Sequence, residues 1–100
     1  MFIKKIVNGK LELRKTNGAY VRSIVQRGAV AADINDDETL VLVTLESGKV
    51  ELRRITGAYV RSIVQRDAAG ASFVGEDIAV ELENGRTELR RQSGALIRRI

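Results

Sequence analysis

One hundred residues, 44% hydrophobic and 30% charged, are enough for one domain of ordinary soluble composition. With neither cysteine nor histidine, the chain has no disulfide framework, thiolate metal site, cysteine nucleophile or imidazole base, leaving carboxylates, lysine, tyrosine and hydroxyls for any chemistry. The formal net charge of +4 admits a polyanion partner, but most of the basic residues recur at fixed places in a repeat and read more simply as structural charge pairs, across strands or between repeats.

In chain order, residues 2–7 are apolar and β-branched, with Lys4 and Lys5 among them. This run is too short for a signal peptide or a membrane span. The expected location is therefore cytoplasmic or virion-associated, with no membrane partner. Asn8-Gly9 follows, the dipeptide that suits a two-residue hairpin because both central positions take positive φ. Asn84-Gly85 reads as the same turn and Ser47-Gly48 as a weaker form of it. After each comes a strand with period-two alternation: Leu11 and Leu13 against Glu12 and Arg14, then Val50 and Leu52 against Glu51 and Arg53, with Leu89 kept in the last copy.

Second turns stand at Asn17-Gly18, Thr56-Gly57 and Ser93-Gly94. The segment after them, AYVRSIVQR, decides the fold. Tyr20, Val21, Ile24 and Val25 fall at helical spacing. Its shortness and β-branched content favour a strand instead, and a hairpin-plus-helix repeat stays as the alternative. Short apolar runs at 30–35 and 39–45 flank the acidic turn Asp36-Asp37-Glu38, and the next unit repeats this pattern around Glu76-Asp77.

The chain is thus a repeat. GKLELRKTNGAYVRSIVQR from Gly9 returns as GKVELRRITGAYVRSIVQR from Gly48 and, shortened, as GRTELRRQSGALIRRI from Gly85, at spacings of 39 and 37 residues. Sixteen of the twenty-two positions from Gly9 to Val30 are identical at Gly48 to Ala69, which points to duplication, or design, of one unit. Four short strands in about 40 residues is the measure of a β-propeller blade.

The stretch GAVAADINDDETLVLVTLESGKVELRRITGAYVRSI resembles a unit of the WD-repeat type of β-propeller: a small-apolar first strand, an acidic turn, a strongly apolar second strand, a glycine turn, an amphipathic third strand and a TG turn into YVRSI. The resemblance is one of blade architecture, without a Trp-Asp or Gly-His signature. It implies an all-β fold of about 2.75 four-stranded antiparallel units, b-c-d and then a-b-c-d twice, in one repeat domain over 1–100: a partial blade at 1–28, a second at 29–67 and a third at 68–100.

Three blades leave two apolar faces open, and propellers close with roughly four to eight. Closure by homo-oligomerisation is expected, as a dimer in preference to a trimer. The other reading is a fragment or engineered piece of a longer propeller. No catalysis, metal or cofactor is expected, because the acidic turns lack metal-loop spacing and nothing pairs two carboxylates at a fixed separation.

The function expected is that of a structural or interaction module. The alternative is a ligand-binding propeller, lectin-like or polyanion-binding. Its candidate residues are Arg27 and Arg66 on one end of the ring, with Lys10, Lys49 and Arg86 nearby and the acidic turns on the other end, together with Tyr20 and Tyr59 as stacking groups. Because Leu96 takes the third tyrosine position, packing is the plainer role for the other two.

Overall fold

Eleven strands and no helix make up the computed structural model, which describes residues 1–100. They are β1 (Phe2–Val7), β2 (Lys10–Lys15), β3 (Tyr20–Val25), β4 (Ala29–Ile34), β5 (Leu40–Leu45), β6 (Val50–Arg54), β7 (Tyr59–Val64), β8 (Ala68–Val74), β9 (Asp77–Leu82), β10 (Thr87–Arg90) and β11 (Leu96–Arg99). Three antiparallel sheets result, in the orders β1-β2-β3, β4-β5-β6-β7 and β8-β9-β10-β11, and we number them sheets 1 to 3. Nothing in the chain is a helix long and apolar enough to cross a membrane.

YVRSIV is a strand in both full copies, and the pairing explains its helix-like spacing. Against β2, the residues of β3 that pair are Tyr20, Arg22, Ser23 and Val25, with register shifts between Leu11 and Glu12 and between Leu13 and Arg14. Val21 and Ile24 are the extra residues of these bulges. A bulge turns successive side chains out of simple alternation, so apolar residues three apart reach the same side. β6 and β7 repeat the two shifts.

The turns divide differently from the expectation. Val7 pairs with Lys10, and Asn8 and Gly9 both take positive φ (51° and 79°), so this is the tight two-residue hairpin. At Asn84-Gly85 only the glycine is left-handed (88°). There the Gly85 N–H bonds the Leu82 carbonyl (3.0 Å) and the Leu82 N–H bonds the Arg86 carbonyl (2.8 Å), a longer turn closed by a glycine bulge. One extra residue, Glu83, makes the difference, and Glu46 supplies it in sheet 2.

Sheet 2 is the middle layer. Val41, Leu42 and Val43 on β5 are all fully buried because β5 has a sheet against each of its faces. Leu11, Leu13 and Ile24 of sheet 1 form one cluster with Ala29, Val41 and Val43 of sheet 2. Leu42, Val50, Leu52 and Ile63 of sheet 2 form the other with Ala68, Ile78 and Val80 of sheet 3. We call the face a sheet turns toward the next one its forward face, and the opposite one its rear face.

Candidate assembly interface

The two joints are one joint made twice. Register aligns them: Val43 pairs with Glu51 and Val80 with Glu88, while Leu42 pairs with Leu52 and Thr44 with Val50. Leu11, Leu13 and Ile24 of the first joint therefore correspond to Val50, Leu52 and Ile63 of the second, and Ala29, Val41 and Val43 to Ala68, Ile78 and Val80. Alternation along β2 and β6 puts leucine or valine on the forward face and Glu-x-Arg on the rear.

Backbone bonds tie each connection between sheets in the same way. The Ala29 N–H donates to the Gly9 carbonyl (2.9 Å), and the Gly28 carbonyl accepts from Glu46 N–H (2.7 Å). Their equivalents are Ala68 to Gly48 (3.0 Å) and Glu83 to Asp67 (2.9 Å). The residue that lengthens the hairpins of sheets 2 and 3 is thus the one that grips the incoming connection. Sheet 1 has neither an incoming connection nor that residue.

A repeated polar network lines the outer rear face. Glu12, Glu51 and Glu88 are each only 7% exposed, and each carboxylate is paired along its own strand, to Arg14 (3.3 Å), Arg53 (3.0 Å) and Arg90 (3.0 Å). These pairs run two residues along the strand, not across strands or between repeats; Arg99 to Glu88 at 3.5 Å is the cross-strand exception. Each arginine also donates to the carbonyl of the following turn glycine: Gly18 (2.9 Å), Gly57 (2.9 Å) and Gly94 (2.7 Å).

Those turns then seat on the preceding sheet. A Cβ at Gly57 would lie 3.7 Å from the Ser23 carbonyl oxygen and one at Gly94 3.4 Å from that of Ile63, whereas Gly18 has nothing within 4 Å. Arg22 adds a bond to the Ile55 carbonyl across the first joint (2.9 Å).

What remains is a forward face on sheet 3 and a rear face on sheet 1, each with no sheet against it. Ala79, Glu81, Thr87 and Leu89 hold the joint positions on the former, with Ile100 at the place of Ile63 and 75% exposed. Ile3 and Lys5 hold them on the latter, where Ile3 is 44% exposed. β1 is also the unpaired inner edge of sheet 1, at the position that β4 and β8 cover in the other two.

The residues singled out for ligand contact fall elsewhere. Tyr20 lies between Lys10 (5.8 Å) and Arg14 (5.9 Å) with its hydroxyl on Ser23 (2.9 Å), and Tyr59 lies likewise between Lys49 (6.0 Å) and Arg53 (5.6 Å) with its hydroxyl on Ser62 (2.8 Å). Both rings are held by their own sheet. Arg27 and Arg66 are exposed on the connections beside Gly9 and Gly48, so the structure brings them to one end with Lys10, Lys49 and Arg86. It does not make that end uniformly basic, because Glu46, Asp67 and Glu83 stand in the same turns and Arg66 lies 3.9 Å from Asp67. The opposite end mixes Asp36, Asp37 and Glu76 with Lys15, Arg54 and Arg91. With Glu38 and Asp77 also at that end, the two ends differ in net sign, but each carries both charges.

Asp33, which the sequence does not single out, touches all three sheets; only knowing which sheets abut reveals it. No protein-family model matches this sequence, and no curated protein matches it.

Proposed function

We propose that the chain is a self-assembling interaction module: three consecutive blades of a β-propeller that close into a ring by head-to-tail association of identical chains, with no catalytic role. One observation carries this reading. A single joint is built twice inside the chain, and the same residue positions recur, unpaired, on one forward face and one rear face. A heterologous contact that closes on itself forms a ring, and two chains supply six sheets, within the range of propellers. Three chains would supply nine. The WD-repeat resemblance supports the same order of strands.

Native mass spectrometry with light scattering tests it. A discrete dimer is the expected result; a monomer that persists at tens of micromolar overturns the reading.

Ligand binding at the connection end is the second reading. It is favoured by Arg27, whose guanidinium makes no hydrogen bond or ion pair within the chain. Loss of oligonucleotide or sulfated-glycan binding in an Arg27→Glu, Arg66→Glu variant that still assembles would establish it.

A further inference from the structure

Resting on that assembly reading, we propose that the joint between copies is keyed by an ion pair between Lys5 of one copy and Glu81 of the next. Register places both residues at joint positions. Lys5 pairs with Glu12 as Val43 pairs with Glu51 and Val80 with Glu88, so Lys5 occupies a rear-face column that is otherwise valine. Glu81 pairs with Thr87 as Thr44 pairs with Val50 and Ile6 with Leu11, so Glu81 occupies the Thr44 column on the forward side.

Inside the chain the rear column is covered at both joints, and the forward column is covered at Thr44 but only in part at Ile6, which is 37% exposed. Val43 and Val80 are fully buried and Thr44 is 1% exposed. Lys5 and Glu81 are both exposed in the single chain. Neither has a partner there: Glu12, beside Lys5 on the same face, is taken by Lys10 (3.7 Å) and Arg14 (3.3 Å). Docking sheet 3 onto sheet 1 of a second copy covers a lysine and a glutamate together. Covering either alone leaves a desolvated charge without a partner.

The pairing also selects direction. Two forward faces meeting put Glu81 against Glu81, and two rear faces put Lys5 against Lys5. Only the head-to-tail joint between copies satisfies both charges, and complementary charge fixes register and rejects wrong partners more than it adds affinity. Free in solution, the same two charges keep exposed Ile3 and Ile100 from forming an uninterrupted apolar surface.

Charge reversal tests the proposal. Lys5→Glu and Glu81→Lys are each expected to weaken self-association by about 10-fold or more, read as a shift from oligomer to monomer on dilution in native mass spectrometry. The double variant K5E/E81K is expected to recover the wild-type mass. An equimolar mixture of the two single variants is expected to form a mixed dimer, because each of its two joints then holds one lysine and one glutamate. Both side chains are exposed in the single chain, so each variant keeps the fold, which circular dichroism verifies. An oligomeric wild type whose mass is indifferent to both reversals, or single variants that neither the double change nor mixing rescues, overturns the Lys5–Glu81 pairing and leaves the assembly reading standing. A monomeric wild type overturns both.

Discussion

Asp33 Oδ2 accepts a 2.8 Å hydrogen bond from the backbone N–H of Phe73, forty residues away on the first strand of sheet 3. Its other oxygen lies 3.6 Å from Lys4 Nζ of sheet 1, and the same ammonium donates to the Ala32 carbonyl at 2.6 Å. One carboxylate on sheet 2 thus reaches both neighbours. Asp33→Ala leaves the half-buried Phe73 N–H unpaired and is expected to cost about 1–3 kcal/mol. Asp33→Asn keeps an acceptor for Phe73 and gives up only a partly exposed ion pair, for about 1 kcal/mol or less. Urea unfolding of the two variants orders them; equal losses would show that the ion pair, not the amide bond, is the stabilising part.

A pair of glycines with the same backbone angle separates conformation from crowding. Gly48 and Gly85 both have φ of 88°, but a Cβ at Gly48 would sit 2.5 Å from the Asp67 nitrogen while one at Gly85 meets nothing within 4 Å. Gly85→Ala is expected to cost about 1–2 kcal/mol, the left-handed penalty alone. Gly48→Ala adds a backbone clash and costs more. Thermal denaturation of the two side by side checks the ranking.

Asp67 holds a left-handed conformation (φ 70°) at the place where the first connection has Gly28 (φ 81°). Asp67→Gly removes the Cβ strain and is expected to stabilise by about 1 kcal/mol. The ion pair surrendered to Arg66 is highly exposed and contributes little. A raised melting temperature is the expected reading; a lowered one would mean that the greater freedom of glycine in the unfolded chain outweighs the strain.

Thr44 carries a buried hydroxyl with no hydrogen-bond partner in the second joint. Thr44→Val keeps the shape and removes an unsatisfied polar atom, so a gain of about 1–3 kcal/mol is expected. Chemical denaturation reads it directly.

Leu52 and Leu89 are equivalent leucines, one 2% exposed inside a joint and the other half-buried on the free forward face. Leu52→Ala is expected to destabilise the fold by about 2–5 kcal/mol. Leu89→Ala should cost the single chain less and weaken self-association instead. Measuring both unfolding and mass on each variant resolves the two effects.

Much of this architecture is legible in the residues. Glycine turns and β-branched runs mark all eleven strands, and the repeat places them in units of three, four and four. The helix-like spacing of Val21 and Ile24 is the exception, because a bulge is a property of two strands and neither strand alone discloses it. Turn type at Asn84-Gly85 was hidden in a single residue, Glu83, whose role depends on a connection arriving from another sheet. Asp33 was out of reach for a similar reason: its partners Lys4 and Phe73 lie on the neighbouring sheets. The columns holding Lys5 and Glu81 do lie within the sequence, once strands are aligned on Glu12, Glu51 and Glu88 in place of the turn glycines, whose hairpins differ in length.

The repeated joint has a consequence for how such a chain changes over time. Because the two internal joints use one set of positions, an added unit of the kind spanning residues 29–67 meets its neighbours through the same packing positions, whereas the contacts made only once, Arg22 to Ile55 and Asp33 to Phe73 and Lys4, have to be made anew. Copy number can drift by whole units while the packing rule stays constant, and the charged end faces travel outward intact with the terminal sheets. On the proposed ring closure, the number of sheets is then set by the curvature at which the last face meets the first.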